Sequence, residues 1–272
     1  MIERERDNIR LVEYDILRKH PEVYAFSTYR QGGVSTGAYA SLNCTPYVGD
    51  DPQCVLRNQQ ILAEALPCRP REWVIPWQNH GIQSLAIDEA YLAATPDERH
   101  RMLQGVDALM TSLPGVCLCI STADCIPILL YDHTHRVIAA VHAGWRGTVS
   151  MIVLHTLRRM HELYDTEGED LSACIGPGIS CYAFEVGTEV ADAFHKAGYT
   201  LDGIIYYDPT RNKNHIDLPR ANAIQLEQFG LLDSQIEDCR ICTYSQCEDF
   251  FSARRLGIKS GRILSGIMLV DK

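Results

Sequence analysis

A chain of 272 residues with a formal net charge of −10 would repel a nucleic-acid backbone unless its bases were gathered on one face, and no Lys/Arg cluster suggests such a face. Its 46% hydrophobic and 22% charged composition is that of an ordinary globular protein, with no apolar run near the roughly 20 residues needed to cross a membrane. These totals predict one domain over residues 1–272, with neither nucleic acid nor membrane as a partner.

The opening segment MIERERDNIRLVEYD alternates both charge signs and lacks the apolar core of a secretory signal, so a cytoplasmic location is expected. Consistent with that, the eleven cysteines read as reduced thiols packed as small hydrophobes. In chain order, VYAFSTYR (23–30), GIQSLAID (81–88), GVCLCIS (115–121), IPILLYD (126–132) and RVIAAVH (136–142) have the apolar, β-rich character of buried strands. LSACIG (171–176), QIEDCRICT (235–243) and ILSGIMLV (263–270) extend the series. The spacing of Val149, Ile152, Val153, Leu157, Met160 and Tyr164 predicts one amphipathic helix over 148–164. Two more helices are predicted, over 188–198 with Gly198 closing it, and over 219–230 between Asp217 as N-cap and Gly230 as end signal. The mixture predicts an α/β or α+β fold, with helices covering mixed sheets.

Glycine-rich loops RQGGVSTG, HAGWRG and IGPGIS punctuate the strands. HAGWRG lies between a strand and a helix start, where free N–H groups favour an anion, and Arg146 could add a bidentate grip. Cys125 follows one strand and His142 ends the next but one, so the two could meet at a sheet rim. His80, read as opening another strand, would make a third ligand and leave a fourth position for water, as in catalytic zinc sites. Each residue also has a plain packing role open to it, since long-range ligand sets carry no compact signature.

FSTYRQGGVS, SLN, VGDD, QNHG, DALMTS, TADCIPILL, VHAGWRGT, IGPGIS and FFSARR together resemble the YfiH-like or laccase-domain family, once described as multicopper polyphenol oxidases, over Tyr24 to Leu269. The resemblance implies a single-domain α/β/β/α sandwich and a metal held by His80, Cys125 and His142. It further implies a zinc-binding purine nucleoside enzyme that cleaves adenosine, inosine and methylthioadenosine with phosphate and deaminates adenosine. Two positions depart from the family pattern: Asn79, where a hydrophobic residue is commoner, and Ala253, in place of an aromatic.

A multicopper site calls for about ten histidines in repeated H-x-H pairs, whereas this chain has ten in total and one such pair, His133 and His135, in a polar turn. The same three ligands would accept copper as well as zinc. Phosphorolysis needs cations for phosphate, and Arg30, Arg146, Arg254 and Arg255, with Asn43 and Ser252, are the motif residues proposed to line that pocket. Deamination needs an activated water, but the H-x-E and P-C-x-x-C signatures of zinc deaminases are absent, leaving Asp124 as candidate proton shuttle or ligand-orienting partner. A metal-free Cys125/His142 pair acting as nucleophile and base in deamidation is the competing catalytic reading, and His80 discriminates because a dyad does not require it. A structural zinc domain is a third reading. It lacks support because the C-x2-C of Cys239 and Cys242 has no matching second pair.

Overall fold

The apolar segments in the middle and at the end of the chain are buried on both faces, which is why they read as continuous hydrophobic runs rather than alternating ones. The computed structural model describes residues 1–6, 8–199 and 203–270. Its first strands are β1 (Ile2–Arg6), β2 (Ile9–Glu13), β3 (Val23–Thr28), β4 (Glu72–Val74), β5 (Ser84–Ala86), β6 (Ala108–Thr111) and β7 (Val116–Thr122). There follow β8 (Ile126–Asp132), β9 (Val137–Ala143), β10 (Leu171–Ile175), β11 (Glu185–Val186), β12 (Ile205–Asp208), β13 (Lys213–Ile216), β14 (Ile236–Asp238) and β15 (Ile263–Leu269). The helices are α1 (Asp15–Arg18), α2 (Pro52–Ala65), α3 (Glu89–Ala93), α4 (Pro96–Met102), α5 (Trp145–Val149), α6 (Ile152–Tyr164), α7 (Thr188–Lys196), α8 (Leu218–Phe229) and α9 (Ala253–Leu256).

Two six-stranded mixed sheets carry the fold, in the orders β1-β2-β3-β15-β7-β4 and β14-β10-β8-β9-β6-β5. The two-residue period of a strand sorts its side chains onto opposite faces. Val116, Leu118 and Ile120 of β7 meet Leu129 of β8 and Ile138 and Ala140 of β9 in a core between the sheets. On its other face β7 sets Cys117 and Cys119 against Leu62 and Ala65 of α2. The outer faces of β8 and β9 pack through Ile128, Leu130 and Val141 against Val153, Leu157, Phe194 and Leu226 of α6, α7 and α8. The layering is therefore α/β/β/α, as the family resemblance implies. All eleven cysteines are free.

Three local expectations are corrected. The helix expected over 148–164 is two helices, α5 and α6, broken at Met151, which is left-handed at φ 62°. The periodicity is satisfied across the break, but the fully buried Gln225 on α8 takes over the backbone groups there. Its Oε1 accepts from the N–H groups of Val153 and Leu154 at 3.1 and 3.2 Å, and its Nε2 donates to the Thr148 carbonyl at 3.1 Å. The strand expected over 235–243 shrinks to β14, and His80 lies in a loop at φ 65° rather than opening a strand. The structure adds α2, which starts with Asp51 accepting from the Gln53 N–H and with Pro52 at the first helical position. As expected, Asp217 caps α8 and Gly230 ends it in the left-handed region.

Replacing Gln225 by Leu strands buried polar groups on two helices at once, each costing roughly 1–3 kcal/mol. Gln225→Leu is expected to lose about 3 kcal/mol in equilibrium urea unfolding. A loss below about 0.5 kcal/mol would show that the break holds itself.

Candidate metal centre

The connections β4–β5 and β7–β8 each pass from one sheet to the other, and they carry His80 and Cys125. His142 shares the parity of Ile138 and Ala140 on β9, so it faces the space between the sheets at their rim. One donor atom from each of His80, Cys125 and His142 falls in a cluster whose members all lie within 4.8 Å of one another. The two imidazoles meet edge to face with centroids 4.7 Å apart. Gly144 floors the cluster: a Cβ there would sit 2.9 Å from His80 Cδ2 and 3.0 Å from Cys125 Sγ, so a side chain would invade the donor space.

The electrostatics are organised by Asp107, which is fully buried at the start of β6. Its Oδ1 lies 2.7 Å from His142 Nδ1 and accepts the His80 N–H at 3.0 Å, while Oδ2 accepts those of Gly81 at 2.8 Å and Asn79 at 3.3 Å. With Nδ1 held, Nε2 of His142 is left for the cluster. Burial works against the Asp107 charge, but the contact with His142 and the loop amides outweigh it and hold the carboxyl below its usual range. Burial likewise disfavours a Cys125 thiolate, yet His142 and His80 outweigh it and draw the thiol down to about 6. Despite its own burial, His142 is pushed up to about 9 by Cys125 and Asp107. A thiolate and two imidazoles, one fixed in orientation by a carboxylate, are a donor set suited to a zinc-like ion. The residues present therefore fit a bound metal.

A cavity of about 330 Å³ opens over the cluster, lined by all three donors together with Tyr47, Trp77, Thr122 and Arg262 among others. The motif residues proposed for phosphate are placed elsewhere than in its lining. Arg30 donates through Nε and Nη2 to the Ala40 carbonyl and through Nη1 to that of Cys247. Asn43, fully buried, holds Asp50 and the Arg262 N–H. Ser252 caps α9 and donates to Asp124 at 2.6 Å. Arg146 lies over the Trp145 ring, Arg254 reaches the Glu185 carbonyl, and Arg255 the Tyr244 hydroxyl. Asp124 keeps both oxygens occupied, accepting from Thr243 Oγ1, from Ser252 Oγ at the cap of α9 and from the Arg254 N–H in its first turn. Asp107, Arg262, Thr122, Tyr47 and Trp77 are among the site residues that sequence reasoning did not single out. Asp107 opens the DALMTS motif, which was the available signal; Arg262 stands just before a strand, with no motif to mark it.

Among the described residues one other cluster of this kind occurs, Asp132, His135 and Asp170. It is a turn rather than a ligand set, because Asp132 accepts from the N–H groups of Thr134 and His135 and from Thr166 Oγ1 and lies 2.9 Å from His135 Nδ1. Two of the ten histidines thus stand at the centre, short of a multicopper set.

A family model described as multi-copper polyphenol oxidoreductase laccase matches residues 24–270. The chain belongs to this laccase family. It is similar to a purine nucleoside phosphorylase of Bacteroides thetaiotaomicron, at 54% identity over 96% of each chain. It is also similar to adenosine deaminase RL5 of an unknown prokaryotic organism, at 40% identity over 95% of this chain and 98% of the relative. Among solved structures, YlmD of Geobacillus stearothermophilus matches with a TM-score of 0.84 at 30% identity, over 92% of this chain and 93% of that one. YfiH of Bacillus licheniformis matches with a TM-score of 0.86 at 26% identity over 98% of each. Among the described residues, no helix of this laccase-family chain is long and apolar enough to cross a membrane.

Asp107→Asn removes the charge that orients His142 and is expected to weaken metal binding about 10- to 100-fold. Competition with a chromogenic chelator measures it, and unchanged affinity would remove Asp107 from this role.

Proposed function

We propose that this protein is a zinc-dependent purine nucleoside enzyme, cleaving adenosine, inosine and methylthioadenosine with phosphate to base and ribose 1-phosphate, and deaminating adenosine. What carries the reading is the convergence of His80, Cys125 and His142 on one cavity, in a chain 54% identical across 96% of its length to a purine nucleoside phosphorylase. The relative described as an adenosine deaminase supports the second activity.

In this reading His80, Cys125 and His142 hold the metal, which supplies a Lewis acid beside the reacting atoms when bound. The protein's own contributions follow from the cavity. Tyr47 and Trp77, with centroids 4.9 Å apart and Trp77 45% exposed, offer an aromatic wall for a purine. The volume of about 330 Å³ falls in the roughly 300–1,000 Å³ range of small-molecule sites. Gln78 exchanges two hydrogen bonds with Ser121 at 2.8 and 2.9 Å, which fixes the loop carrying His80 against β7. Asp124 ties the Cys125 loop to Thr243 and Ser252 and so positions the thiol. Arg30 and Asn43 brace the surrounding loops, while Arg254 and Arg255 follow Ala253, a lining residue, and tie its short helix to Glu185 and Tyr244. Arg146 follows Gly144 and Trp145 at the floor of the cluster.

One observation favours a second, metal-free reading. A Cys125 thiol drawn down to about 6 beside a His142 raised to about 9 and anchored by Asp107 is the arrangement of an activated thiolate, suited to acyl transfer or deamidation. His80 separates the readings, being a ligand in one and dispensable in the other.

Metal-analysed protein incubated with adenosine is expected to give adenine and ribose 1-phosphate only with phosphate present, and inosine with or without it. Cys125→Ala and His80→Ala are each expected to abolish both products, about 10³-fold or more below wild type, with metal lost. Ammonia release from a glutaminyl peptide by metal-free His80→Ala would favour the dyad, and intact adenosine with phenol oxidation by copper-loaded protein would return the oxidase reading.

A further inference from the structure

We propose that Arg262 and Thr122 form the phosphate-binding site of the cavity, a role none of the motif arginines fills. This inference rests on the nucleoside-phosphorolysis reading for its ligand. β15 runs antiparallel to β7 with Ile263 opposite Thr122, so Arg262 and Thr122 stand at adjoining strand ends, and both line the cavity that holds the three metal donors.

The Arg262 guanidinium is fixed by its own loop. Nη1 donates to the carbonyls of Ser260 at 2.5 Å and Gly261 at 3.0 Å, and Nη2 to that of Ile258 at 3.0 Å. A guanidinium carries five N–H donors, so Nε–H and one Nη2–H remain without an acceptor among the described residues. These belong to neighbouring nitrogens, the arrangement from which arginine grips two oxygens of one anion. No carboxylate forms an ion pair with Arg262 among the described residues, in contrast to Arg4, Arg10, Arg99 and Arg220. Burial opposes its charge and outweighs the favourable influence of Cys125, Asp124 and Tyr39.

Thr122 supplies the independent sign. It is 1% exposed, and its Oγ1 is buried with no hydrogen-bond partner. A buried hydroxyl without a partner is unfavourable and calls for an explanation. A tetrahedral oxyanion seated on the Arg262 fork has a third oxygen to accept from that hydroxyl, which satisfies the orphan group. Phosphate placed there lies beside the metal donors. One of its oxygens forms the bond to the anomeric carbon as the bond to the purine nitrogen breaks. The bonding pair leaves with the purine, and the proton of hydrogen phosphate is taken up by the departing base.

The test titrates inorganic phosphate into metal-loaded wild type, Thr122→Val and Arg262→Lys, reading the melting temperature and the KM for phosphate in ribose 1-phosphate formation. Thr122→Val leaves no protein partner behind, so it is expected to melt at or above the wild-type temperature without phosphate and to retain its metal. Phosphate is expected to raise the melting temperature of wild type, and at least tenfold more phosphate is expected to be needed in each variant, with KM rising in parallel. Equal stabilisation and unchanged KM in both variants would overturn the assignment while leaving the nucleoside reading intact. Wild type that binds phosphate in a Thr122- and Arg262-dependent way but makes no ribose 1-phosphate would do the reverse. If phosphate binds none of the three proteins, the assignment is overturned.

Discussion

The site depends on one buried carboxylate. Asp107 sits in the interior at the start of β6, where an uncompensated charge would be prohibitively costly. It is compensated on all sides, by the His142 ring at 2.7 Å and by the amides of Asn79, His80 and Gly81. The same contacts that stabilise the charge set the geometry of two of the three donors. One side is a ring held at its Nδ1, and the other is a loop whose backbone must turn through a left-handed His80 to present its amides. The left-handed turn at His80 carries local strain, and the amides it presents help to offset the cost of burying the Asp107 charge.

A second carboxylate performs a parallel task on the other side of the thiol. Asp124, at φ 93°, gathers Thr243, Ser252 and the Arg254 amide, and its carbonyl accepts the Ile179 N–H at 2.8 Å. The family motifs that appear unrelated along the chain, A-D-C, I-G-P-G-I-S and F-F-S-A-R-R, are thus adjacent parts of one scaffold around Cys125. Much of what a motif search reports as a binding residue is a brace of this kind. Arg30 shows it most clearly, since its donors end on the backbone carbonyls of Ala40 and Cys247.

What the sequence makes legible follows the physics of each element. Strands β7, β8, β9 and β15 are recognisable because burial on both faces demands unbroken apolar runs. The caps of α8 are legible because Asp217 and Gly230 act within a few residues of themselves. The break between α5 and α6 is not, because Gln225 lies more than 70 positions away in sequence and replaces the missing helical bonds through tertiary contact. The three donors are suggested by residue type and strand ends, yet their closeness is a property of the two crossing connections rather than of any spacing. Arg262 carries no local mark at all. What distinguishes it from the motif arginines is its place in the cavity lining, which only the folded chain displays.

The placement of the cavity at the rim between two sheets has a mechanical consequence. Thr122 ends a strand of one sheet and Arg262 leads into another strand of it, His142 belongs to the second sheet, and His80 and Cys125 lie on the connections that cross the gap. Whatever occupies the cavity touches both layers at once and acts as a rivet across the sandwich. The distance between the sheets, set deep inside by the girth of Leu118, Leu129 and Ile138, becomes the ruler against which an occupant is measured. Core side chains far from the chemistry therefore gauge what fits, and a change in their bulk would alter selectivity without touching a single group that meets the occupant.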